Sequence, residues 1–187
     1  MNNKWIPFTA NTVSTISPPG FVWDATMMYM GIPIQVRDMF IKNKGTMEAS
    51  LFGVYSIVRL SDTPEANIGE LMRWLAEIVL YPSAFLLEQW KFTPSSEKVT
   101  VELQSYPDIS IDFYFDEKTN LIYKIYAIRP KLVGNETILS PWEGHMFDYK
   151  LYHDVYVPTR MEVGWYEDGE LELYFKGYNL DFDFQNE

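Results

Sequence analysis

The chain has no cysteine in its 187 residues, which excludes disulfides, thiolate nucleophiles and cysteine-bound metals. Histidine is scarce as well, with only His145 and His153. A metal site would need Glu143, Asp148 and Asp154 to converge on them. The eight-residue spacing puts both imidazoles on one side only in a continuous strand, which Gly144 and the polar loop argue against, so no metal is expected. Basic residues are few, 15 against 26 acidic ones, for a net charge of −11. That excludes the basic footprint nucleic acid requires and disfavours electrostatic docking on anionic lipid. No uninterrupted apolar run approaches the roughly 18 residues of a spanning helix, so no transmembrane segment is expected. The start, Met1-Asn-Asn-Lys-Trp5, lacks the basic and apolar regions of a signal peptide. The default address is cytoplasmic, or periplasmic or membrane-associated if a leader has been removed. Gly-x-Ser-x-Gly, phosphate-loop and dinucleotide motifs are missing, and the order of Ser, His and Asp suggests no triad. No cofactor is expected.

What is abundant is aromatic. Tyr, Phe and Trp number 13, 12 and 6, within an apolar fraction of 47%. Such residues favour pleated, half-buried surfaces, so the composition points to strands, and the length to a single domain over 1–187. Strands are expected from Trp5 to Ser17, Phe21 to Tyr29 and Ile34 to Ile41. Lys42-Asn-Lys-Gly45 reads as a hairpin with Gly at a left-handed position. Thr46 to Leu60 reads as one long strand bent at Gly53. Later strands cover Lys98 to Gln104, Ile109 to Phe115 and Leu121 to Arg129. After a linker from Pro130 to about Pro141 come Phe147 to Tyr152, Val155 to Tyr166 and Leu171 to Phe184. Asp168-Gly169 is a strong hairpin signal.

Residues 67–90 break this pattern. Ile68, Leu71, Met72, Leu75, Ile78 and Val79 recur at helical spacing, with Glu70, Arg73 and Glu77 on the opposite side. Asn67 followed by Glu70 predicts a capping box, and Pro82 a kink or restart near Tyr81. Strands on both sides of one amphipathic helix predict an α+β fold, predominantly antiparallel. The expected form is a strongly curved meander, a half-barrel, with a helical insertion at about 67–88 packed on its concave face.

Several segments together carry a family resemblance. They are Trp5-Ile-Pro-Phe-Thr-Ala10, Pro19-Gly-Phe-Val-Trp-Asp-Ala25, Gly69-Glu-Leu-Met-Arg-Trp-Leu-Ala-Glu77 with Pro82, and Pro141-Trp-Glu-Gly144. Asp148-Tyr149, Val157-Pro158 and Glu162-Val-Gly-Trp165 complete the set. The chain resembles a family of uncharacterised bacterial proteins defined only as a domain of unknown function. Family members usually carry a further segment ahead of the first Trp-x-x-Phe. The architecture is more distantly similar to bacterial lipoprotein carriers, in which helices plug a half-barrel. The resemblance transfers no catalytic residue.

The expected function is therefore binding of a hydrophobic or amphipathic small molecule, or a lipid, between helix and sheet. Candidate ligand contacts are Trp23, Arg73, Trp74, Glu77, Trp90, Trp142, Tyr149 and Trp165. Tryptophans offer area and stacking, and an Arg held by carboxylates offers a polar anchor. The alternatives are a hydrolytic enzyme using Glu70 or Glu77 beside Arg73, and a structural or interaction module.

Overall fold

A computed structural model describes residues 5–134, 136–178 and 181–185. Among these the fold is predominantly antiparallel β with one helical insertion, as the alternation predicts. Hydrogen bonding divides the meander into two open sheets, one of five strands and one of seven, neither closed into a barrel. The described residues fall into two compact units, one ending at Trp74 and one beginning at Leu75.

The first unit runs β1 (Phe8–Thr15), β2 (Gly20–Tyr29), β3 (Ile32–Ile41), β4 (Lys44–Leu51) and β5 (Tyr55–Ser61), each paired with the next. The stretch from Thr46 to Leu60 is thus two strands. Gly53 is the second residue of a tight hairpin, with φ of 52° at Phe52 and 69° at Gly53. The period-2 signal continues across a two-residue turn, which is why it read as one strand. Gly45 is not left-handed; Lys42 and Asn43 take that conformation instead. What Gly45 supplies is room. A Cβ there would lie 2.3 Å from the Ala66 carbonyl oxygen, so only glycine lets the next helix rest on the sheet.

That helix, α1 (Pro64–Glu77), starts one turn earlier than Asn67 suggests. Thr63 is its cap, its hydroxyl accepting the Ala66 amide at 3.1 Å, and Pro64 fills the first position, where no amide donor is needed. Asn67 instead ties helix to sheet: its Oδ1 accepts the Gly45 amide at 2.6 Å and its amide reaches Asp62. Leu71, Met72, Leu75, Ile78 and Val79 are buried as the stripe requires, while Ile68 is exposed. Helical geometry tightens at Ile78–Leu80, and Pro82–Leu86 forms a separate short turn, the restart expected at Pro82.

The second unit pairs β6 (Trp90–Pro94), β7 (Lys98–Leu103), β8 (Tyr106–Phe115), β9 (Ile122–Val133), β10 (Glu136–Tyr152), β11 (Val155–Glu167) and β12 (Glu170–Tyr178) in order. Val101, Leu103, Ile111, Phe113, Ile125, Trp142 and Val163 fill one face, and Phe85 of the short turn packs edge-on to Phe113 at 5.5 Å. The stretch expected as a linker, from Pro130 to Pro141, is instead paired strand: residues 130–133 pair with residues 136–139 within this sheet. Both prolines stand beyond the point where their strands keep a second neighbour: β8 pairs with β9 no further than Tyr126, and β11 with β10 no further than Trp142. A missing amide costs least there. Trp90 opens β6 instead of closing the helical stretch. The last strand stops at Tyr178; residues 179–180 lie outside the described residues, and Asp181–Gln185 are not strand.

Candidate functional site

In the five-stranded sheet the register sorts side chains into rows across the strands. On the face away from α1, Asn11, Asp24, Arg37, Glu48 and Arg59 stand opposite one another on successive strands. Alternating charges neutralise along this row, with Arg37 Nη2 3.1 Å from Asp24 Oδ2 and Arg59 Nε 3.0 Å from Glu48 Oε1.

The face that carries α1 is different. Thr12, Trp23, Asp38, Met47 and Leu60 form one row; Phe8, Met27, Ile34 and Leu51 form another. Between them run Ala10, Ala25, Val36, Ala49 and Val58, short side chains flanked by long ones. Both ends of this middle row, Ala10 and Val58, are exposed.

Arg73 of α1 reaches the first of these rows. It forms an ion pair with Asp38, the two side chains being 20% and 13% exposed. Its guanidinium lies over the rings of Trp23 and Phe21, 4.9 and 5.0 Å from their centroids. Phe8 meets Trp23 edge-on at 5.9 Å. The Trp74 indole N–H donates to the Thr15 carbonyl at 2.9 Å. Helix and sheet therefore share a charged anchor beside aromatic walls.

The second unit holds two further clusters. Arg129, buried, lies over Trp142 at 4.7 Å and Trp165 at 5.9 Å, while Lys131 approaches Trp165 at 5.5 Å. The Trp142 indole donates to the Tyr174 hydroxyl at 3.0 Å, and Tyr174 stacks on Trp165. Gly144 makes room for this. A Cβ there would meet the Trp142 ring at 3.2 Å and Val163 at 3.3 Å. On the opposite face Glu143, its side chain 9% exposed, lies 2.6 Å from His145 Nε2 and accepts the Tyr166 hydroxyl at 3.2 Å. Burial raises the Tyr166 phenol above its ordinary range, and the Glu143 carboxylate adds to this, so the hydroxyl stays protonated. His153 sits apart in a hairpin turn with Asp154. Among the described residues no three His, Asp or Glu side chains gather as a metal site.

Of the predicted contacts, the structure brings Trp23 to Arg73 and Trp142 to Trp165. Trp90 is buried with its indole donating to the Ala84 carbonyl at 2.6 Å. The Tyr149 hydroxyl donates to the Ile122 carbonyl at 2.6 Å, and burial lifts that phenol well above its usual range. Glu77 is half-buried at the end of α1. Asp38, Phe21, Arg129 and Tyr174 complete these clusters and were not predicted. Asp38 carried a signal, a charge at the same strand parity as Val36 and Phe40.

These features define an open antiparallel meander protein with a helical insertion. The chain belongs to a family of unknown function, DUF6544, whose sequence profile matches residues 1–177. No curated protein and no solved structure matches it. Among the described residues no helix is long and apolar enough to cross a membrane.

Proposed function

We propose that the protein binds a single-chain amphiphile, such as a fatty acid or lysophospholipid, on the α1-bearing face of the five-stranded sheet. The observation that supports this reading is the row of short side chains at Ala10, Ala25, Val36, Ala49 and Val58 between two longer rows. The accessible part of that row, Val36, Ala49 and Val58, suits an alkyl chain lying across the strands, with Ile34 and Leu51 along one side. The Arg73–Asp38 pair beside Trp23 gives the polar head a charged partner of either sign.

Tryptophan fluorescence titrated with monomeric lysophosphatidylcholine tests this. Wild type should saturate, and Ala49→Met, which fills the row at a half-buried position, should weaken binding while leaving the melting temperature nearly unchanged. A wild type that gives no saturable change, or an Ala49→Met protein that binds equally well, would overturn the reading.

A further inference from the structure

At one end of the five-stranded sheet the chain exposes apolar residues that folding does not require. The β2–β3 hairpin turns at Met30-Gly31 and the β4–β5 hairpin at Phe52-Gly53, in each case with both residues at positive φ. The other tight hairpins with two positive-φ residues among the described residues turn on polar pairs: Lys42-Asn43, His153-Asp154 and Asp168-Gly169. Positive φ favours Asn, Asp and Gly, so Met30 and Phe52 occupy positions where a bulky apolar side chain weakens the turn. They are nevertheless exposed, Met30 at 85%, and Val54 beside them at 76%.

The two tips are adjacent, because β3 pairs with β4 and the Phe52 amide donates to the Pro33 carbonyl at 3.1 Å. Antiparallel pairing of Phe8 with Met27 puts Trp5 and Ile6 at the same end. Met28, Tyr29, Ile32 and Tyr55 flank the tips, all exposed. Residues 5–23, 25–36 and 49–58 contain no charged side chain, although charged residues make up 22% of the chain. Along strands β2 to β5 charge returns at the Asp24–Arg37–Glu48–Arg59 row, about 15–20 Å behind the tips at strand rise. That row carries two acids and two bases and sums to zero.

We infer that these hairpin tips dock the protein on an electrically neutral lipid surface. Met30, Phe52 and Val54 are the apolar points of contact. Trp5, Tyr29 and Tyr55, each with an apolar ring and a polar handle, sit where such side chains favour the boundary between headgroup and acyl chain. Protruding turns suit insertion between lipids better than they suit a flat protein interface, and a net charge of −11 favours zwitterionic over anionic lipid. This docking does not depend on the amphiphile-binding face, whose Ala49 and Val36 lie on the strands behind the tips.

The test is sedimentation of the full chain with phosphatidylcholine vesicles and with phosphatidylcholine–phosphatidylglycerol vesicles. Wild type should pellet with the first and no better with the second. The double variant Met30→Asn, Phe52→Asn should lose pelleting to the vesicle-free level. It should melt no lower than wild type, because asparagine suits left-handed turn positions. A purely structural role for the two side chains predicts the reverse, lost stability with unchanged pelleting. The proposal is overturned if wild type stays in the supernatant, if pelleting requires the anionic lipid, or if the double variant pellets like wild type. It is equally overturned if sedimentation velocity shows the tips joining two copies of the chain without vesicle binding. Retained lysophosphatidylcholine titration in the double variant separates this result from the amphiphile reading.

Discussion

The two sheets obey the same alternation of side chains and use it differently. In the seven-stranded sheet the apolar face is filled, with Val101, Ile111, Phe113 and Ile125 fully buried. In the five-stranded sheet only Phe21, Ala25 and Phe40 among the strand hydrophobics are buried. Met27, Ile34, Val36 and Leu51 on the same face remain half-exposed. A sheet that leaves an apolar face partly uncovered holds surface available to a ligand, while a filled one serves stability. On the proposed reading the partly uncovered face of the first sheet serves binding, while the filled face of the second serves packing.

The contrast breaks most readily in the second sheet. Phe113→Ala should cost about 3–5 kcal/mol in denaturant unfolding, because the ring is 1% exposed and its loss leaves a buried cavity. A cost below about 1 kcal/mol would mean this sheet is no better packed than the other. In the first sheet an electrostatic contact is the informative one to break. Arg73→Ala leaves Asp38, 13% exposed, beside aromatic rings without its ion-pair partner. The loss should be about 2–3 kcal/mol, somewhat under that of a fully buried pair because a fifth of the Arg side chain meets solvent. An unchanged melting curve would place Arg73 among solvated surface pairs.

Tyr149 sharpens the comparison through pH. Its phenol is raised by burial, so above about pH 10 the unfolded chain releases a proton that the folded chain retains. Its contribution to stability is therefore complete below the ordinary tyrosine pKa and declines as pH rises through and beyond it. Tyr149→Phe should lose about 1 kcal/mol at neutral pH with the bond to Ile122, and the deficit should shrink in alkaline unfolding curves. The smallest effect belongs to the outer charged row. Arg37→Ala should cost under about 1 kcal/mol and even less in high salt, since Arg37 and Asp24 are both about half exposed.

Alternation made the strands legible, and a break in alternation made the helix legible. What stayed hidden was punctuation. Phe52-Gly53 turns the chain without interrupting the apolar pattern, and Pro130 and Pro141 sit inside paired strands because each has lost one neighbour. Asn67 has the residue type of a cap, yet the helix begins at Thr63-Pro64 and Asn67 binds Gly45 across the sheet, a contact no local pattern encodes. The site was readable in the same measure. Trp23 and Arg73 follow from residue type and helical spacing. Their meeting, and the choice of Asp38 as a carboxylate partner, depend on a register set 35 residues away. Arg129 offered no signal, because its burial depends on Trp142 and Trp165 from two other strands.

The division between a binding sheet and a packing sheet is tested most directly by methyl chemical-shift mapping during titration with monomeric lysophosphatidylcholine. The account predicts saturable shifts at Ala25, Met27, Ile34, Val36 and Ala49, with Val101, Ile111, Ile125 and Val163 unmoved. Shifts concentrated in the second set, or none in the first at saturating ligand, would contradict it.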